Sequence, residues 1–166
     1  LVYIPSENKA SITLVETNPV DNHLFVFKEE TKMLEEYDQS FHKLSEIQLS
    51  SAVSDLEIQG NQKYVLQMGN MNPNDRKLGK LSVINEKGAV ADLIDSLKRP
   101  VDLKLWDVND DGTKDFIICN FGNLSGHLSW YDGSNRQQHE ISNSAGPRTT
   151  LIKDLDGDGI EELVAL

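Results

Sequence analysis

Asp107, Asn109, Asp111 and Asp115 stand at positions one, three, five and nine of the stretch DVNDDGTKD, with Gly112 at position six. Asp154, Asp156, Asp158 and Glu162 repeat the arrangement in DLDGDGIEE around Gly159. Oxygen donors at alternate positions of a short loop converge on one point when the chain curls, and without a counter-charge they repel one another. A hard cation is the simplest partner. Calcium takes about six to eight oxygens at roughly 2.3–2.6 Å in a flexible cage, whereas magnesium demands a tight octahedron and keeps its waters. Glycine at position six permits the sharp turn, and the position-seven backbone carbonyls of Thr113 and Ile160 would complete each calcium set. Asp110 and Glu161 fall between ligand positions and are expected to face water. A solvated turn needs only one or two Asp or Asn, so four aligned oxygens, present twice, exceed what a turn requires.

An EF-hand loop would place its bidentate acid at position twelve, between two helices. Position twelve here is Ile118 in one loop and Ala165 in the other, and the flanks read as strands, so the helical version is excluded. The elements that must position these loops can be found by laying the sequence on itself. Leu34, Leu81 and Leu128 are 47 residues apart, as are Tyr37, Ile84 and Tyr131, and Asp38, Asn85 and Asp132. Asp55 matches Asp102, Gly79 matches Gly126, Pro100 matches Pro147, and Gly112 matches Gly159 at the same offset. A period of about 20–50 residues is the signature of a solenoid or a propeller.

Within a repeat the pattern is short strands. DLKLW alternates apolar and polar, the acidic loop follows, and FIICNF is an apolar run of the length of a buried strand. HLSWYDG and RQQHEIS come next, with Asp132-Gly133 as a hairpin dipeptide between them. Four strands per repeat is the content of one propeller blade. The expected fold class is therefore all-β, a propeller fragment of about three and a half four-stranded antiparallel blades. Its parts would be 1–10 as the end of a preceding blade or a linker, 11–48 and 49–94 as blades without a calcium loop, 95–145 as a blade with one, and 146–166 as the start of a truncated blade with another. In the second repeat a Gly60-Asn61 turn replaces the acidic loop; in the first, residues 17–22 take its place without the acidic pattern.

Two stretches carry helical spacing. KMLEEYDQSFHKLSEI is assigned to strands because Leu34 and Tyr37 align with Leu128 and Tyr131. For residues 89–98, with Val90, Leu93, Ile94 and Leu97 on one helical face, both a strand and a short helix stay open.

The chain has 166 residues, a formal net charge of −11 and 38% hydrophobic residues, enough for an ordinary core. Nine of its 27 acidic residues lie in the two loops, so the excess is localised. Nucleic-acid binders need clustered Lys and Arg to release counterions, and this balance argues against that partner. No apolar run approaches the roughly 20 residues of a membrane span, so no membrane insertion is expected in this segment. The single cysteine, Cys119, excludes an internal disulfide and reads as a buried, inert thiol. The start LVYIPSEN has neither an initiating Met nor a signal-peptide pattern, and EELVAL reads as a strand that stops halfway. Both ends are expected to be cuts in a longer chain.

DLDGDGIEELVAL, and DVNDDGTKDFIICNFGN followed by GHLSWYDG, resemble the FG-GAP or VCBS repeat family. The family pattern is D-x-[DN]-x-D-G-x-x-[DE], an apolar strand and a Phe-Gly pair, here Phe121-Gly122. Its members form calcium-binding blades of integrin α-subunit propellers and of many large secreted bacterial proteins. The resemblance implies Ca2+ as the ion, the remaining blades of the same propeller as neighbours, and an extracellular, cell-surface or periplasmic setting. It covers residues 95–166 by motif and residues 11–94 by the 47-residue register only.

Trp106, Trp130 and Tyr131 could stack on a sugar, but Val83 and Ile84 replace Trp130 and Tyr131 one repeat earlier, which favours a core role. His23, His42, His127 and His139 have no metal-ligand spacing and form no catalytic pair. Asn123-Leu124-Ser125 is a glycosylation sequon of a kind frequent by chance. No nucleophile with an adjacent base is present. The expected function is a non-enzymatic, calcium-stabilised interaction module with a protein or glycan ligand; the alternative is the non-catalytic part of a propeller enzyme such as a polysaccharide lyase or a quinone-dependent dehydrogenase.

Overall fold

A computed structural model describes residues 11–166, which fall into two compact units, one ending at Val53 and the other running Ser54–Leu166. Residues 1–10, expected as a preceding blade end or a linker, lie outside the described residues. Among the described residues every regular element is a strand. In the first unit β1 (Ile12–Thr17), β2 (Leu24–Lys28), β3 (Met33–Tyr37) and β4 (Lys43–Gln48) form one antiparallel sheet in chain order. The central strand β2 buries Phe25, Val26 and Phe27 in succession. Glu35 of β3, also buried, is held by the ammonium of Lys28 at 2.6 Å and the hydroxyl of Tyr37 at 2.6 Å. Burial, with the adjacent Glu35 carboxylate, pushes the Tyr37 phenol up to about 12.

The second unit holds three sheets. β5 (Val53–Gln59), β6 (Gln62–Gln67), β7 (Gly79–Ile84) and β8 (Val90–Leu97) form the first; β9 (Pro100–Trp106), β10 (Asp115–Asn120), β11 (His127–Tyr131) and β12 (Gln138–Ser142) the second. β13 (Thr150–Lys153) and β14 (Glu162–Ala165) make a two-stranded hairpin. The four-stranded meanders have the strand content and order of propeller blades. Residues 90–97, open between helix and strand on periodicity, are the strand β8, paired to β7 with two register shifts. Those irregularities, with Ser96 at φ 60°, explain why the apolar positions do not alternate cleanly.

Packing within this unit explains the unbroken apolar run of β10. Phe116 and Ile118 point to one side, into a cluster with Leu66, Leu81, Ile94, Leu97, Leu103 and Tyr131. Ile117 and Cys119 point to the other, joining Leu128 against Ile152 and Leu163 of the terminal hairpin. A strand covered on both faces loses the alternation of a half-exposed one. The 47-residue triplets receive physical meaning here. Leu34, Leu81 and Leu128 occupy the third strand of their sheets and are 2%, 0% and 3% exposed. Asp38, Asn85 and Asp132 each start the turn between third and fourth strands, their Oδ1 atoms accepting N–H groups of His42, Ala89 and Asn135 at 2.9–3.0 Å.

Candidate metal centre: two acidic loops

The acidic stretches are the β9–β10 and β13–β14 connections, and the two loops share one set of hydrogen bonds. The N–H after position one donates to the position-nine carboxylate, Val108 to Asp115 Oδ2 and Leu155 to Glu162 Oε2, each at 2.8 Å. The position-six glycine donates to the position-one carboxylate, Gly112 to Asp107 at 2.8 Å and Gly159 to Asp154 at 2.9 Å. Position five donates to position three at 3.1 Å in both loops, Asp111 to Asn109 and Asp158 to Asp156. Position seven donates to position five, Thr113 to Asp111 at 2.7 Å and Ile160 to Asp158 at 2.8 Å. Side chains at one, three, five and nine are thereby turned inward by their own backbone.

In the second loop carboxylate oxygens of Asp154, Asp156 and Asp158 all lie within 4.8 Å of one another, a grouping able to hold a metal ion. In the first, the amide of Asn109 sits among the acids, its nitrogen 3.4 Å from Asp111 Oδ2 and 3.5 Å from Asp132 Oδ2. Among the described residues no Lys, Arg or His forms an ion pair with any carboxylate at positions one, three, five or nine of either loop. The donors are hard oxygens with lone pairs to spare and no counter-charge, which fits a hard cation.

The structure adds details that spacing did not reveal. Glycine is needed at position six, where Gly112 and Gly159 have φ of 83° and 89°, but position four is left-handed too, at Asp110 (φ 58°) and Gly157 (φ 82°). Asp and Asn are the side chains that visit this region most readily, so Asp110 serves the bend while facing water. Asp115 is fully buried and spans two connections, its second oxygen accepting the N–H of Gly133 at 2.7 Å. Gly133 is therefore not the second residue of a two-residue hairpin turn, as its pairing with Asp132 suggested. The β11–β12 connection is longer, with Arg136 at φ 67°, and a Cβ on Gly133 would lie 2.1 Å from the carbonyl of Lys114. Spacing marks Asp132 only as a turn residue, yet its Oδ2 faces Asn109 while its Oδ1 closes its own turn through Ser134 and Asn135. No sequence signal separates it from Asp38 and Asn85, which cap equivalent turns.

Beneath the loops a second repeated device joins neighbouring sheets. Asp55 Oδ2 accepts the N–H of Leu103 at 2.7 Å, and 47 residues on Asp102 Oδ2 accepts that of Thr150 at 3.0 Å and its hydroxyl at 2.5 Å. Burial pushes Asp55 up to about 6 against the pull of Lys104. Burial opposes the charge on Lys104, but Asp55, Asp102 and Glu57 outweigh it and raise its pKa. Cys119, 3.9 Å from Asp102, is pushed up to about 12 by burial and then by that carboxylate, as expected of an inert thiol. Tyr131 is core, and Trp106 and Trp130 are half-buried against the Ile117 cluster, Trp130 stacked on His139 with ring centres 4.1 Å apart. His23 and His42 pair locally with Glu36 and Asp38, at 2.9 and 3.2 Å.

Antiparallel four-stranded meanders, with an acidic first connection in one of them and in the terminal hairpin, define a propeller-type repeat. Residues 107–165, which contain both loops and every strand from β10 onward, match the family model of the FG-GAP-like repeat. That is the family the loop motifs resemble. No curated protein matches the chain.

Proposed function

We propose that this chain is a calcium-stabilised propeller segment of a larger secreted or cell-surface protein, acting without catalysis as an interaction module. One observation carries the reading: two loops 47 residues apart turn four side-chain oxygens inward by the same hydrogen bonds, with no basic partner, inside the segment that matches the FG-GAP-like repeat. Asp107, Asn109, Asp111 and Asp115 with the Thr113 carbonyl would hold one ion. Asp154, Asp156, Asp158 and Glu162 with the Ile160 carbonyl would hold the other. The ion supplies charge neutralisation; the chain supplies the curled loops and the sheets that anchor them.

With dissociation constants of about 0.1–1 mM, as in extracellular modules, calcium near 1 mM would add roughly 0.4–1.4 kcal/mol per site by mass action. Such sites suit an extracellular or periplasmic medium, where calcium is plentiful. Thermal unfolding in 1 mM calcium and in excess chelator tests the reading. The melting temperature is expected to fall by about 2–4 °C per kcal/mol lost. An unchanged melting temperature, with no saturable heat on calcium titration, would overturn it.

A further inference from the structure

Within the unit Ser54–Leu166 the acidic loops lie at the sheet ends where β9 and β13 finish. The connections at the opposite ends, 68–78, 98–99, 121–126 and 143–149, carry charge of the other sign: Arg76, Lys77, Lys98, Arg99 and Arg148 against a single acid, Asp75. That acid is already engaged. It accepts the N–H groups of Asn123, Leu124 and Ser125 at 2.9–3.1 Å, and these bonds hold its carboxyl down at about 2.

A cavity of about 420 Å³ opens at this end between Arg99, Val101, Phe121 and Arg148. Arg99 sits at the β8–β9 turn with φ 48°, a left-handed conformation that side-chain-bearing residues disfavour. Its guanidinium is fixed on two sides, donating from Nη2 to the Met71 carbonyl at 3.2 Å and lying 5.0 Å over the Phe121 ring. Its Nε is buried and without a partner among the described residues, so a ligand in the cavity would be met by the terminal nitrogens. Arg148, on the other wall, is exposed and pairs with no acid among the described residues. Two guanidinium groups thus line one cavity with no carboxylate, in a chain of net charge −11.

We infer that this cavity binds a carboxylate side chain of a peptide ligand, with Arg99 and Arg148 holding the carboxylate and Val101 and Phe121 taking its aliphatic stem. The planar fork of arginine matches a carboxylate with two parallel hydrogen bonds. A densely charged polyanion would meet the repulsion of the whole chain, whereas one carboxylate on an apolar stem matches two cations beside two apolar walls. The inference rests on the interaction-module reading and adds to it the chemistry of the partner.

The test is an amide chemical-shift titration of the full chain with four probes. These are a capped five-residue peptide with one central glutamate among alanines, the same peptide with glutamine, trigalacturonate and inorganic phosphate. Saturable shifts at Arg99, Phe121 and Arg148 are expected with the glutamate peptide. Binding at least about tenfold weaker is expected for the glutamine peptide and for the Arg148→Ala variant, the loss of one charged hydrogen-bonding partner. Arg148 is exposed, so the substitution leaves the core intact. Equal binding of the two peptides, no effect of Arg148→Ala, or binding of trigalacturonate or phosphate in place of the peptide would overturn the assignment. Calcium-dependent melting of the same samples separates the two readings: if it persists without peptide binding, the pocket assignment fails and the calcium module stands.

Discussion

The β5–β8 and β9–β12 sheets solve one problem in two ways. Both must reverse the chain between their first and second strands. The former does so with Gly60-Asn61, where Gly60 takes φ 58° with nothing within 4 Å of where a Cβ would be. The latter uses residues 107–114, curls them around inward-facing oxygens, and anchors the far side with the buried Asp115, whose oxygens take N–H groups from two connections. The two-residue turn stands by backbone conformation, with one long side-chain bond from Asn61 to Glu86 at 3.4 Å. The acidic loop is held by side chains whose charges oppose one another, so its stability depends on what neutralises them. On the proposed calcium reading, metal dependence would be a property of a connection and not of the sheet that carries it.

The two sheets differ most at Asp115. Asp115→Ala would leave the Val108 and Gly133 N–H groups without acceptors in a buried place. A loss of about 3 kcal/mol is expected from the two orphaned donors together, measurable as a drop in the urea midpoint. A loss under about 1 kcal/mol would show that those donors find other partners and that Asp115 is no anchor.

A second test uses the carboxylate that joins the two sheets. The pKa of Asp55 is raised from 3.8 to about 6 by burial, so the folded state holds its proton more tightly than the unfolded one. Its contribution to stability therefore falls as pH rises from about 4 to about 6 and is regained on acidification, by about 3 kcal/mol. Asp55→Asn cannot titrate and should lose this dependence. The stability difference between variant and parent, followed from pH 4 to pH 8 in urea, is expected to move in the variant's favour as pH rises. A difference flat across that range would show that Asp55 titrates as it does in the unfolded chain.

Gly60→Ala probes the metal-free turn. The added methyl meets no atom, but φ 58° strains any side-chain-bearing residue, so about 1 kcal/mol is expected to be lost. The loss should be equal with and without calcium. A calcium-dependent loss would tie that turn to the ion sites and end the contrast between the sheets.

The smallest effect separates the two acidic loops. Loop 154–162 offers four carboxylates, while loop 107–115 offers three with Asn109, whose amide already softens the repulsion. Calorimetric titration of Asp158→Ala and Asp111→Ala variants should assign the tighter calcium site to residues 154–162, by less than about tenfold. Amide exchange on chelation should rise at 107–118 and 154–165 and stay level around Gly60. A tighter site at 107–115 would mean that the buried anchor at Asp115 outweighs ligand charge.

The strand framework and the inward-facing loop positions are legible from residue spacing. A 47-residue period is fixed by repeated core leucines and turn-capping Asp or Asn, and inward-facing loop side chains must sit at alternate positions because neighbouring side chains diverge. Both are local or periodic constraints, readable without knowing what packs where. The rest depends on packing between distant segments. Residues 90–97 became a strand because β7 offered an edge whose register shifts absorb an irregular pattern, and intrinsic spacing could not choose between the two forms. Gly133 is glycine because the Lys114 carbonyl lies against it, and Asp132 faces Asn109 because two connections meet there. The Arg99 and Arg148 cavity joins residues 49 positions apart through three connections, and no motif records it. Spacing along the chain encodes what one loop does to itself; what two loops do to each other is set by the strands that bring them together.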